Sequence, residues 1–122
     1  MKIVEIGESY GDQYILFDNE KKLEYVHDQE CCEEVYADFK NMQVMGLQDK
    51  NFVWASELDF FENLLTSVVP IEGVGFYLVT KQGICILVSC YNVQNGYYSD
   101  ELKLCYDNTY LDITGCTKDD YY

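Results

Sequence analysis

Apolar side chains recur at every second position in short stretches along most of this chain, and that period constrains the fold more than any other feature. Leu23, Tyr25 and His27 alternate with their neighbours, as do Val35, Ala37 and Phe39, and again Leu102, Leu104 and Tyr106. A repeat of two places successive side chains on opposite sides of an extended strand. Turn residues stand between the stretches, at Asn19-Glu20-Lys21, Lys81-Gln82-Gly83 and Asn95-Gly96. The pattern predicts strands over 2–6, 13–18, 22–27, 34–39, 75–80, 84–91 and 102–106, with Leu111 and Ile113 marking a last edge strand. The first four, joined by short connections, read as an antiparallel meander. Residues 84–91 (ICILVSCY) are apolar on both faces and belong at the centre of a sheet.

One segment departs from the period. Leu58, Phe61, Leu65 and Val68 follow helical spacing, Ser56 and Asp59 form an S-x-x-D capping signal, and Pro70 ends the element. A helix is therefore predicted over 57–68. The expected fold class is α+β, with an antiparallel, curved β-sheet or sheets and one packed α-helix; the alternative is an all-β sandwich or barrel. Residues 1–122 read as a single globular domain with a frayed tail over 117–122.

Charge bounds the partners. Twenty-two acids face eight bases, every base is lysine, and the net charge is -14. Such a surface repels polyanions, and without arginine it has no bidentate fork for phosphate or guanine, so direct nucleic-acid binding is not expected. The same charge steers the chain toward a basic partner, although solubility alone is the plainer use of it. Glu5 breaks the apolar N-terminal stretch, so no signal peptide is read there, and no run approaches the roughly 18 apolar residues of a membrane span. A soluble, cytoplasmic protein is expected. Cys31, Cys32, Cys85, Cys90, Cys105 and Cys116 are then expected as reduced thiols.

Two segments are chemically unusual. In the first, His27 to Glu34, the only histidine stands four residues before Cys31 and Cys32, among carboxylates. Imidazole and thiolate are zinc ligands, but the C-x₂-C knuckle is missing, and adjacent cysteines on extended chain point apart. A nucleophilic cysteine activated by His27 is a second reading, opposed by the surrounding carboxylates, which raise a thiol pKa. The third reading is a polar connection with one cysteine buried. No metal or cofactor is expected, and His27, Cys31 and Cys32 are the residues that would hold a metal if one were bound. In the second segment, Asn95 to Ser99, Tyr97 and Tyr98 point to opposite sides of an extended chain, one into the core and one outward as a potential interface anchor. An exposed tyrosine patch would serve a homodimer equally well. There is no P-loop, G-x-G-x-x-G, H-E-x-x-H or EF-hand spacing, and the chain does not read as an enzyme.

At these two segments the sequence resembles a domain of unknown function found in small phage and phage-derived bacterial proteins. That family pattern has an H-x-Q-D-C-C-E block, a TFY…T-x-x-G strand pair and an S-N-G-Y-Y-S block. Here His27, Gln29, Cys31, Cys32 and Glu33 match the first, Phe76, Tyr77, Thr80 and Gly83 the second, and Asn95 to Ser99 the third. Glu30 stands in place of aspartate and Gln94 in place of serine, and the resemblance spans roughly 13–106. It implies a phage or prophage origin and no assigned activity. In that setting a small acidic chain is expected to bind and inhibit a basic host protein, such as a nucleic-acid-binding protein or defence nuclease, in an anti-CRISPR-like role. Asp100, Glu101, Asp107 and Asp112 would imitate spaced phosphates if they share a face, with Tyr97 and Tyr98 as anchors. The alternative function is a small metal- or ligand-binding domain centred on 27–32.

Overall fold

A computed structural model of the chain describes residues 1–27, 34–45, 55–94 and 101–121. Among the described residues, eleven strands make up nearly all of the regular structure, in two sheets. The first runs β1 (Ile3–Ser9), β2 (Asp12–Phe17), β3 (Lys22–Val26), β9 (Lys103–Tyr106) and β10 (Thr109–Asp112), in the order β1-β2-β3-β9-β10, every pair antiparallel. Tight turns link the hairpins. Tyr10 and Gly11 (φ 52° and 85°) close β1 to β2, and Asp107 and Asn108 (φ 50° and 59°) close β9 to β10. A two-residue turn with both φ positive matches the twist of the flanking strands.

The second sheet is built on β8 (Cys85–Gln94), its longest strand. The first half of β8 lies between β7 (Gly75–Val79) and β5 (Gln43–Met45), and the second half between β4 (Glu34–Ala37) and β11 (Lys118–Tyr121). β6 (Val68–Ile71) continues the sheet beyond β7. The central placement predicted for 84–91 is thus realised. Gly75 sits where β7 crosses close to β8: a Cβ there would lie 2.0 Å from the Val88 carbonyl oxygen, and its φ is +155°. Only glycine fits such an approach.

The two inner faces share one core. Ile15, Phe17, Leu23, Leu104 and Tyr106 enter from the first sheet, and Val35, Ala37, Phe76, Leu78, Ile86, Val88 and Cys90 from the second. Phe39 bridges them, its ring 6.0 Å from Tyr25 and 6.5 Å from Phe76.

The α+β expectation gives way here to its all-β alternative. Residues 57–68 form no α-helix. Ala55–Glu57 and Leu64–Ser67 are single 3-10 turns, and the chain between them is irregular. Leu58 and Phe60 are buried two residues apart, an extended alternation, while Phe61 is 37% exposed. The backbone here bonds across the fold rather than along itself: Phe60 N–H donates to the Met1 carbonyl at 2.7 Å, and Lys81 N–H to the Asp59 carbonyl at 2.7 Å. Asp59, expected as a helix cap partner, takes the Met1 ammonium at 2.7 Å. A lone helix of about twelve residues is marginal without tertiary support, and this segment finds more partners extended.

Two further expectations are corrected. The meander has three strands, not four, because β4 leaves it to pair with β8. The tail expected to fray instead forms β11 in parallel with β8, Lys118 opposite Tyr91. Among the described residues no helix is long and apolar enough to cross a membrane.

Candidate functional site

Among the described residues, a surface cleft lies where the β9–β10 hairpin meets the 3-10 turn at Leu64–Ser67. That turn is closed by its own side chains: Thr66 N–H and Oγ1 both donate to the Asn63 carbonyl (3.0 and 2.8 Å), and Ser67 Oγ donates to the Leu64 carbonyl at 2.7 Å. Leu64 anchors it in the core. On the hairpin side, Asp107 and Asn108 take the left-handed turn that Asp and Asn tolerate best after glycine, which places Asp107 at the tip. Glu62, Asn63, Leu65 and Thr66 form one wall of a cleft of about 390 Å³, and Tyr106, Asp107 and Thr109 the other. Across the same turn, Phe61, Asn63, Thr66, Ser67, Val69 and Val79 line a second cleft of about 410 Å³.

Lys21, from the β2–β3 turn, reaches Asp107 at 2.7 Å. That bond holds the Lys21 ammonium above its ordinary pKa, and the field of Glu62 adds to it. Both partners of the pair are about half exposed, so the contact is of the weak, solvent-screened kind.

The other acids singled out in the sequence fall elsewhere. Glu101 is exposed and pairs with Lys103 at 3.0 Å. Asp112 lies opposite Lys103 in the β9–β10 register, and hydrogen bonds from Thr114 hold its carboxyl below the usual carboxylate range. Glu101 and Asp112 therefore gather around one ammonium. Asp107 stands three register steps along the hairpin and beyond, about 10 Å or more away. Asp100, Tyr97, Tyr98, Cys31 and Cys32 lie outside the described residues.

The described strands that flank the two unusual segments are paired with one another. Segment 28–33 leads from β3 to β4, and 95–100 from β8 to β9. β3 pairs with β9 (Val26 opposite Lys103) and β4 with β8 (Glu34 opposite Val93). His27 Nδ1 meets the Glu101 carbonyl and ties their ends. At the end of β8 the inner face turns polar: Gln94 Nε2 donates to Asn92 Oδ1 at 2.5 Å, both residues buried. Asn92 Nδ2 has no hydrogen-bond partner among the described residues.

Sequence reasoning passed over two features. Gly7 to Gly11 spells G-x-S-x-G, but Ser9 ends β1 and the next element is a strand. A nucleophile elbow needs a strand-to-helix turn, so the match is one of letters only. The other is a second acidic locality, where Asp12, Glu24, Tyr14 and Tyr25 line a small cleft of about 170 Å³. Burial chiefly, with the fields of Asp12, Glu34 and Glu8, pushes Tyr25 up to about 12. No local pattern marks this cluster, since its acids, Glu8, Asp12, Glu24 and Glu34, come from four different strands.

Cys85, Cys90, Cys105 and Cys116 are free thiols, and burial raises Cys90 and Cys116 well away from thiolate formation at neutral pH. Among the described residues no group of three or more His, Cys, Asp or Glu side chains is placed to hold a metal ion.

Fold and surface together define an all-β, two-sheet protein whose carboxylates are distributed over separate localities. The chain belongs to the family described as Domain of unknown function (DUF7448), whose model matches residues 1–104. No curated protein and no solved structure matches it. The matched residues end within β9, so Asp107, Asp112, β10 and β11 lie beyond them.

Proposed function

We propose that this chain is a phage-type protein that binds and inhibits a basic host protein in the host cytoplasm, in an anti-defence role of the anti-CRISPR-like kind. The observation that carries the reading is the net charge of -14 on a chain without a single arginine. Summed over a small surface, such a charge raises encounter rates with a basic cleft and falls off with salt over about 8–10 Å. The exposure of Glu101, Asp107 and Asp112 supports it. So does the separation of Asp107 from the Glu101–Asp112 pair, because carboxylates spaced along a surface resemble successive phosphates better than one tight cluster does.

Affinity capture from host lysate at low and high salt, with mass spectrometry of the retained proteins, tests it. The expected result is a basic nucleic-acid-binding protein retained at low salt, released at high salt and competed off by nucleic acid. Retention of no such protein at either salt would refute the proposal.

A further inference from the structure

Resting on that reading, we infer that the two clefts flanking the Leu64–Ser67 turn form one grip for a partner segment that carries a lysine or arginine beside an aliphatic or aromatic side chain. The clefts share Asn63 and Thr66, so their occupants would be adjacent along one short stretch of chain. Their linings differ in kind. The hairpin side presents two carboxylates, Glu62 and Asp107, over the apolar Leu65. The other side is lined by no charged group and presents Phe61 and Val69, 37% and 48% exposed, with Val79. A long basic side chain suits the first, because it lays an apolar stem against Leu65 while its head meets the carboxylates. An apolar side chain suits the second.

The molecule already holds an internal stand-in for the first occupant. Lys21 Nζ sits 2.7 Å from Asp107 and within the field of Glu62. A partner cation would displace it, at the modest cost of an exposed ion pair. Lys21 would thus act as a weak competitor that sets the threshold for binding.

The probe is a blocked tripeptide, leucine-glycine-lysine, titrated into ¹⁵N-labelled protein. Chemical shift changes are expected at 61–66, 69, 79 and 106–109. Replacing lysine by glutamate in the probe, or leucine by serine, should abolish or greatly weaken them. Lys21→Gln should tighten binding about two- to fivefold, the worth of an exposed ion pair, and Asp107→Asn or Glu62→Gln should weaken it by a similar factor. Shift changes confined to other surfaces, equal binding of the glutamate probe, or no gain from Lys21→Gln would overturn the assignment. The lysate capture separates the two claims. If the double variant Glu62→Gln/Asp107→Asn retains the same basic protein equally well, the grip falls and the inhibitor reading stands. If the tripeptide binds as expected and no basic protein is retained, the grip stands and the inhibitor reading falls.

Discussion

Replacing Phe60 by alanine and, separately, Phe61 by alanine distinguishes the extended path of 58–63 from the helix its spacing suggests. Phe60 is 0% exposed and meets Phe17 edge-on at 5.4 Å, whereas Phe61 is 37% exposed. A buried phenylalanine removes roughly 150 Å² or more from water, worth about 4 kcal/mol at ~25 cal/mol per Å². Measured Phe→Ala changes in cores, with the cavity included, run at about 3–5 kcal/mol. Phe60→Ala should therefore cost about 4 kcal/mol, a large part of the 5–15 kcal/mol typical of a domain. Phe61→Ala should cost less than about 1 kcal/mol. In urea unfolding, with a slope of roughly 1–3 kcal/mol per molar, Phe60→Ala should move the midpoint down by about 2 M and Phe61→Ala hardly at all. A helix with its buried face at 58, 61, 65 and 68 requires the opposite order. Phe61→Ala costing as much as Phe60→Ala would refute the argument.

Other outcomes follow from single contacts. The Met1 ammonium bonded to Asp59 holds that carboxyl below its ordinary range; the contribution is present above the unfolded value near 4 and lost as pH falls through the folded one. The stability gap between wild type and Asp59→Asn should thus narrow as pH falls below about 4, and a gap unchanged by acidification would contradict it. Gly75→Ala places a Cβ 2.0 Å from the Val88 carbonyl and should destabilise by more than about 2 kcal/mol or prevent folding. Gly83→Ala, with φ +80° and open space around it, should cost only about 1 kcal/mol; thermal melts rank the two, and equal costs would be wrong. Elemental analysis of reduced protein should find no stoichiometric zinc, and chelator should leave the fold unchanged; one zinc per chain, with unfolding under chelator, would favour the metal reading of His27, Cys31 and Cys32.

The strands were legible because their signal is local. An inward–outward alternation such as Leu102, Leu104 and Tyr106 needs no knowledge of the partner strand, and the turns at 19–21 and 81–83 announce themselves in residue type. The doubly apolar 84–91 likewise carried its central position in its own composition. What failed were choices that two local patterns share. Leu58 with Phe60 fits a strand, and Leu58 with Phe61 and Leu65 fits a helix; the Met1 carbonyl and the β7–β8 turn decided between them from distant parts of the chain. β5 is three residues long, and β6 contains Pro70, tolerated toward a sheet edge, so neither showed a readable period. β11 was hidden because parallel pairing with β8 is a relation between positions 27 residues apart and leaves no mark on either strand. The same holds for the acidic surface. Its total charge is a property of the sequence, but the pairing of Asp107 with Lys21, 86 residues away, and the placing of Glu62 beside them depend on which strands lie together. Composition determined the sign and size of the charge, and only the packing of the two sheets decided which carboxylates stand together and which stand apart.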